Sequence, residues 1–327
     1  MLNYWIKKQA SPGAACVMSN GEVILEAYSG VLHKNETPVD HNSIYDLASV
    51  TKLYTVFSII KLQNERRLDI DDRVSKYLKT FRYSELTIRD LICHRANFGI
   101  RLSLFRKRYG SSFAKEIVNY NPPEKRSDFV HYENITYIYL GEIIKAVTKL
   151  NLQDYIKELL DDLKLENTKT HKNLNKIDIT NLAPTEIIKN IPFKDDTHDE
   201  SARLFGGFAG NAGLFSSASD LNKFGRIWID NILINKDFLI KEVLSHQGSG
   251  TQKNSSICLG WWEGVPNTEN ILTRGIYSHT GFTGCLLAIN PKRNSVLSLV
   301  CNRTILGRQN QVHRNMWRDL TELWINL

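Results

Sequence analysis

The sequence predicts an α+β fold: an antiparallel sheet built from both termini and flanked by helices, with a mainly helical insertion between. Strand-like segments lie at the two ends of the chain, and helical periodicity fills the middle. The end strands form tight hairpins, which join antiparallel neighbours.

The first hairpin is read over residues 14–18 and 22–28, around Ser19-Asn20-Gly21; Asn-Gly favours the left-handed turn that a hairpin needs. A helix follows Ser49, with Leu53, Val56, Phe57 and Ile60 as its apolar face. Residues 87–92, 113–118, 137–150 and 152–163 read as further helices. Strands return over 282–289 and 295–301, around the turn 290–294, and an amphipathic helix covers about 311–325. One catalytic domain is expected, with 1–67 and 222–327 as its sheet part and 68–221 as its helical part. The cleft between them is the place for a site.

Composition narrows the class. The 327 residues are 42% apolar and 24% charged, as in ordinary globular proteins. No apolar run reaches membrane length, so no membrane span is expected. The first residues, Met1-Leu2-Asn3-Tyr4-Trp5-Ile6-Lys7-Lys8, lack the apolar stretch and cleavage site of an export signal. Cys16, Cys93, Cys258, Cys285 and Cys301 are odd in number and never in Cys-x-x-Cys spacing. They read as reduced core residues of a cytoplasmic protein, neither disulfides nor metal ligands. The net charge is +7, with a denser patch at Arg101, Arg106, Lys107 and Arg108. That patch fits an acidic or phosphate partner or, more simply, a solvated loop; no nucleic-acid recognition signature accompanies it.

The chemistry begins at Ser49-Val50-Thr51-Lys52. On a helix, residues three apart face the same way, and a lysine can serve as base to a serine hydroxyl. Two other Ser-x-x-Lys strings start at Ser58 and Ser112. Ser58 falls inside the helical pattern and Ser112 follows a Gly-Ser turn, so only Ser49 stands at a break into a helix. Its alternative role is a helix N-cap. Tyr132-Glu133-Asn134, before the helix at 137, offers a proton carrier and an amide for a substrate carbonyl; an aromatic plug with an Asn cap is the alternative. His279-Thr280-Gly281 precedes the strand expected from Phe282. There glycine admits a close backbone approach, and the Phe282 N–H could join that of Ser49 as an oxyanion hole. A structural histidine at a strand entrance is the alternative. The rival strings His246-Gln247-Gly248 and Lys223-Phe224-Gly225 precede no strand.

In this order and spacing, the three motifs resemble the serine β-lactamase and penicillin-binding-protein superfamily. The branch is that of class C β-lactamases, family VIII esterases and D-Ala-D-Ala peptidases. The stretches Leu86–His94, Pro184-Thr185-Glu186, His198–Ala202, Gly206–Ala218 and Cys301-Asn302-Arg303 support the resemblance. It implies a β-lactamase/transpeptidase-like fold, no cofactor and no metal. Ser49 would be the acylated nucleophile, with Lys52 and Tyr132 sharing the base and acid roles in an order the sequence leaves open. Asn134 would contact the substrate amide or ester, and the Ser49 and Phe282 N–H groups would bind the oxyanion. His279, Thr280 and Gly281 would line the substrate. Arg303 is a candidate for a substrate carboxylate, with a structural salt bridge as the alternative.

The chain departs from the pattern at Asn211, where relatives commonly carry histidine, and at His279, where class C β-lactamases carry lysine. A neutral histidine lacks the fixed charge that draws anionic β-lactams. The expectation is therefore a cytoplasmic serine hydrolase or acyltransferase acting on a small-molecule ester, thioester or amide, with an acyl acceptor or carrier as a further partner to be tested. A D-Ala-D-Ala-type peptidase or weak penicillin binder, and a catalytically silent binding protein on the same scaffold, are the alternatives.

Overall fold

The computed structural model describes residues 1–33, 37–79, 81, 85–120, 127, 129–230, 239–245, 247–250, 256–268 and 273–327. His246 lies outside them. The strands of the N-terminal part are β1 (Gly13–Asn20), β2 (Glu22–Gly30) and β3 (Tyr45–Asp46). The middle carries β4 (Phe129–Val130), β5 (Lys169–Thr170), β6 (Glu186–Ile188), β7 (Ile191–Phe193) and β8 (Leu214–Ser216). Then come β9 (Gly248–Gly250), β10 (Ser256–Ile257), β11 (Trp262–Glu263), β12 (Tyr277–Thr280), β13 (Leu286–Asn290) and β14 (Ser295–Cys301). The helices are α1 (Leu2–Lys7), α2 (Thr51–Asn64), α3 (Ile88–Ile92), α4 (Leu102–Tyr109) and α5 (Phe113–Asn119). They continue with α6 (Asn134–Thr148), α7 (Leu152–Asp162), α8 (Glu200–Leu204), α9 (Ala218–Asp230) and α10 (His313–Asn326).

The two termini build one nine-stranded sheet in the order β2-β1-β14-β13-β12-β11-β10-β9-β4. Its pairs are antiparallel except β4 with β9. The first hairpin pairs as its Asn-Gly turn predicts, with Gly21 at φ +73°. In β1, β13 and β14 successive side chains alternate between two cores. Ala15, Val17, Leu287, Ile289 and Val296 join α2 and α9, whereas Cys16, Met18, Leu286, Ala288 and Leu299 meet α1 and α10 through Trp5, Trp317 and Trp324. All five cysteines are free and buried, as expected.

Four expectations about the elements need correction. α2 has no polar face: Thr51 to Ile60 and Leu62 are all buried. It is a central helix covered on every side, so a one-sided apolar stripe understated it. The middle segment carries short strands as well as helices, among them the three-stranded sheet β3-β8-β5 and the β6-β7 hairpin. α6 begins at Asn134, three residues early, because Glu133 is extended and the Asn134 side chain is turned to another partner. Finally, His279 and Thr280 lie inside β12, and Phe282 sits in the turn before β13. Gly281 N–H bonds the Cys285 carbonyl at 2.8 Å and Gly284 N–H bonds the Gly281 carbonyl at 3.0 Å, closing that turn.

The α2–α9 contact anchors the helix that carries the Ser-Lys pair. Tyr54 and Phe224 stack with centroids 3.6 Å apart, and Phe57 meets Trp228 edge-on at 5.2 Å. Phe224→Ala should lower the unfolding free energy by about 3–5 kcal/mol, read from the urea midpoint.

Candidate active site

The structure gathers the three motifs around one buried ammonium. Lys52 is fully buried on α2, and its Nζ donates to Ser49 Oγ (3.0 Å), Asn134 Oδ1 (2.9 Å) and the Asn211 carbonyl (3.2 Å). Three donors meet three neutral acceptors, and no carboxylate pairs with Lys52 among the described residues. The other two Ser-x-x-Lys serines behave differently. Ser58 bonds the Tyr54 carbonyl inside α2, and Ser112 bonds the Tyr109 carbonyl on the surface.

Each acceptor is delivered by a local device. Ser49 follows Ala48, whose φ of +46° is a left-handed turn; for a residue with a Cβ that costs about 1–3 kcal/mol. Asp46 holds it, since its Oδ1 accepts the Ala48 N–H at 2.7 Å. Asn211 is carried by the glycine-rich stretch noted in the sequence. A Cβ on Gly210 would meet the Tyr137 carbonyl at 2.1 Å, and Thr55 Oγ1 bonds the Gly210 carbonyl at 2.7 Å. The glycines thus let this loop lie against α2 and α6.

The turn bearing Phe282 is fastened to the Ser49 segment. Thr283 Oγ1 donates to the Asp46 carbonyl at 2.7 Å. A Cβ on Gly281 would meet the Leu47 carbonyl at 2.4 Å, so only glycine allows this approach. The Ser49 and Phe282 N–H groups have no acceptor among the described residues.

His279 is buried and its Nδ1 lies 3.0 Å from the Thr280 carbonyl. A carbonyl only accepts, so Nδ1 carries the proton and Nε2 presents a lone pair, which has no partner among the described residues. Burial first, then the Lys52 ammonium, pulls its pKa down to about 3. Tyr132 is exposed, and its ring covers Lys52 Nζ at 5.0 Å. Its hydroxyl makes no hydrogen bond to Ser49, Lys52 or any other described residue.

Arg303 is held by backbone carbonyls instead of the salt bridge that was the alternative. Its Nε donates to the Phe282 carbonyl (2.8 Å) and its Nη1 to the carbonyls of Arg308 (2.8 Å) and Asn310 (2.7 Å). Its plane covers the Phe282 ring at 4.5 Å. It has no salt-bridge partner among the described residues, and it braces the Phe282 peptide. Asp46 and the Asn211 carbonyl went unnoticed in the sequence, because neither role depends on a recognisable pattern.

A model of the Beta-lactamase family matches residues 4–319. The chain belongs to this family. These are serine hydrolases, and the expected fold is thereby shown. A putative D-alanyl-D-alanine carboxypeptidase of Salmonella enteritidis PT4 (strain P125109) is 26% identical, over 92% of this chain and 82% of its own. Among solved structures, a class C beta lactamase from Rhodobacter sphaeroides superposes with a TM-score of 0.73 at 16% identity, covering 97% of both chains. EstCE1, described as a hydrolase with promiscuous acyltransferase activity, superposes at 0.72 with 16% identity over 96% of both. No helix among the described residues is long and apolar enough to cross a membrane.

Burial also depresses the pKa of His94 and of His313, the latter to about 3. Below about pH 6.5 the unfolded chain binds protons at these histidines and His279 that the folded chain refuses, so stability is lost as pH falls. His279→Gln should remove about one of the protons taken up on unfolding between pH 6 and 4. Urea titrations across that range check this through the shallower dependence of the variant.

Proposed function

We propose that this β-lactamase-family enzyme forms an acyl-enzyme on Ser49 from an ester, thioester or amide whose acyl part carries no carboxylate beside the reacting carbonyl. The observation that carries the reading is the 3.0 Å contact of Lys52 Nζ with Ser49 Oγ beside a neutral His279. Ser49 Oγ attacks the carbonyl carbon while its proton passes to Lys52 or Tyr132. The oxyanion is received by the N–H groups of Ser49 and Phe282. Collapse expels the alkoxide, thiolate or amine, which takes up that proton, and water or a second nucleophile then releases the acyl group.

With all three ammonium donors engaged, Lys52 can accept a proton only after losing one and releasing an acceptor. The Tyr132 hydroxyl has no such bonds to release among the described residues and can take the Ser49 proton as it passes its own to the leaving group, which favours it as the carrier. His279 argues against anionic substrates, since its Nε2 lone pair repels a carboxylate and welcomes a donor such as an amide N–H. The five buried, reduced cysteines support a cytoplasmic setting.

A second reading, a D-Ala-D-Ala-type carboxypeptidase, is favoured by the Salmonella relative. Its substrate ends in a carboxylate; Arg303 commits Nε and Nη1 to backbone carbonyls and leaves Nη2 without an acceptor among the described residues.

Intact-mass spectrometry after a fluorophosphonate or a short p-nitrophenyl ester should show one adduct on the wild type and none on Ser49→Ala. No adduct on the wild type would support a silent binding protein instead, and stable trapping of labelled penicillin would support the carboxypeptidase. Replacing His279 by lysine should raise reactivity towards anionic β-lactams relative to neutral esters, measured as the ratio of kcat/KM values.

A further inference from the structure

His94 is a buried histidine with no place in the chemistry derived so far, yet it holds the Tyr132 loop at three points. Its carbonyl accepts the His131 N–H at 2.8 Å. Its Nδ1 accepts the Glu133 N–H at 3.3 Å, with Thr136 Oγ1 also 3.3 Å away. Between these two bonds its ring lies against the Tyr132 ring, centroids 4.5 Å apart and tilted by 40°. The N–H groups of both neighbours of Tyr132 and one side of the phenol ring are thus held by one residue. A φ of +54° lets the His94 carbonyl and imidazole serve the same loop. A left-handed backbone is uncommon outside Gly, Asn and Asp, and it persists where surrounding contacts hold it.

The Glu133 N–H can only donate, so Nδ1 is the acceptor and Nε2 carries the proton. Thr136 spends its own proton on the Glu133 carbonyl at 2.8 Å. Burial first, then the Lys52 ammonium, keeps His94 neutral. A protonated imidazole would turn Nδ1 into a donor and break the bond to Glu133. The Glu133 carboxylate completes the clamp by accepting the N–H groups of Phe98 and Gly99, both at 3.0 Å.

We propose that His94 is the positioning residue for Tyr132, acting as a neutral imidazole that sets the phenol over the Lys52 ammonium. The proposal rests on the reading of Tyr132 as proton carrier. Lys52 holds Ser49 through a direct bond, whereas Tyr132 has no hydrogen bond of its own among the described residues, so its aim depends on the clamp.

The test uses two amides in the full-length protein. His94→Asn places its carbonyl oxygen where Nδ1 lies and tolerates the left-handed backbone. His94→Gln carries the same amide one methylene further, beyond the Glu133 N–H. Turnover of a p-nitrophenyl ester, the rate of Ser49 labelling by a fluorophosphonate, and the melting temperature are read for each. Tyr132→Phe should lose about 10²-fold or more in kcat, as expected for a lost proton carrier. His94→Asn should stay within about threefold of wild type, and His94→Gln should lose about tenfold or more in kcat at unchanged KM. The His94→Gln/Tyr132→Phe pair should be no slower than Tyr132→Phe alone.

Wild-type kcat in His94→Gln, equal losses in the Asn and Gln variants, or losses that multiply in the pair would each overturn the proposal. Should the melting curve show His94→Gln unfolded, His94→Leu replaces it in the same comparison. Wild-type kcat in Tyr132→Phe removes the role of Tyr132, and that of His94 with it. No Ser49 adduct on the wild type removes the acyl-enzyme reading itself, a distinct result.

Discussion

A buried ammonium has few places to exist, and that of Lys52 sets the arrangement of everything around it. Removing a charge from water without compensation costs several kcal/mol, so its donors must be met. The acceptors come from three separate parts of the chain: the turn at Ser49, the first residue of α6 and the glycine-rich loop at Asn211. The cation therefore ties together segments that are distant in sequence. Losing one acceptor would leave a buried donor unpaired and loosen two motifs at once. The proposed nucleophile and the fold share this contact.

Asp46 performs the complementary task on the opposite side of Ser49. Its carboxylate accepts the Ala48 N–H and, at 2.7 Å, that of His198, while its carbonyl accepts Thr283 Oγ1. Burial raises its pKa, against the opposing effect of the two backbone N–H groups. One residue thus sustains the left-handed turn before the nucleophile and draws the Phe282 turn towards it. Arg303 braces the same turn from behind through the Phe282 carbonyl. A carbonyl held in place fixes the orientation of its neighbouring peptide, so the guanidinium contributes to the site without facing it.

The sequence made the end hairpins and the motif residues legible because those signals are local. Asn20-Gly21 demands a turn, and β14 ran from Ser295 to Cys301 as its apolar pattern implied. What escaped were features set by tertiary contact. α2 looked amphipathic because only its apolar residues were counted towards the core, whereas Thr51, Lys52, Thr55 and Ser58 are buried too, each with a partner. Asn134 looked like a cap because its type favours that role, but Lys52 claims its side chain. Phe282 looked like the start of a strand because it is apolar, but the glycines on either side close a turn there. His94 stood in a quoted motif, yet nothing in its spacing showed that it would curl back upon Tyr132.

The two buried histidines of the cleft are fixed in opposite senses by their backbone partners. His279 gives its Nδ1 proton to a carbonyl and keeps a lone pair at Nε2 with no partner among the described residues; His94 takes an N–H at Nδ1 and keeps its proton on Nε2. Both stay neutral for the same reason, since burial and the Lys52 ammonium each oppose a second positive charge. Lys52 is then the charge that matters near Ser49. An oxyanion forming there is favoured by the ammonium and by two backbone donors, whereas a carboxylate brought to His279 would meet a lone pair. Electrostatics of this kind would favour negative charge that develops at Ser49 and disfavour a carboxylate already present beside His279. On the proposed reading, histidine at position 279 would exchange attraction of an anion for acceptance of a hydrogen-bond donor, with the proposed Ser-Lys chemistry left in place.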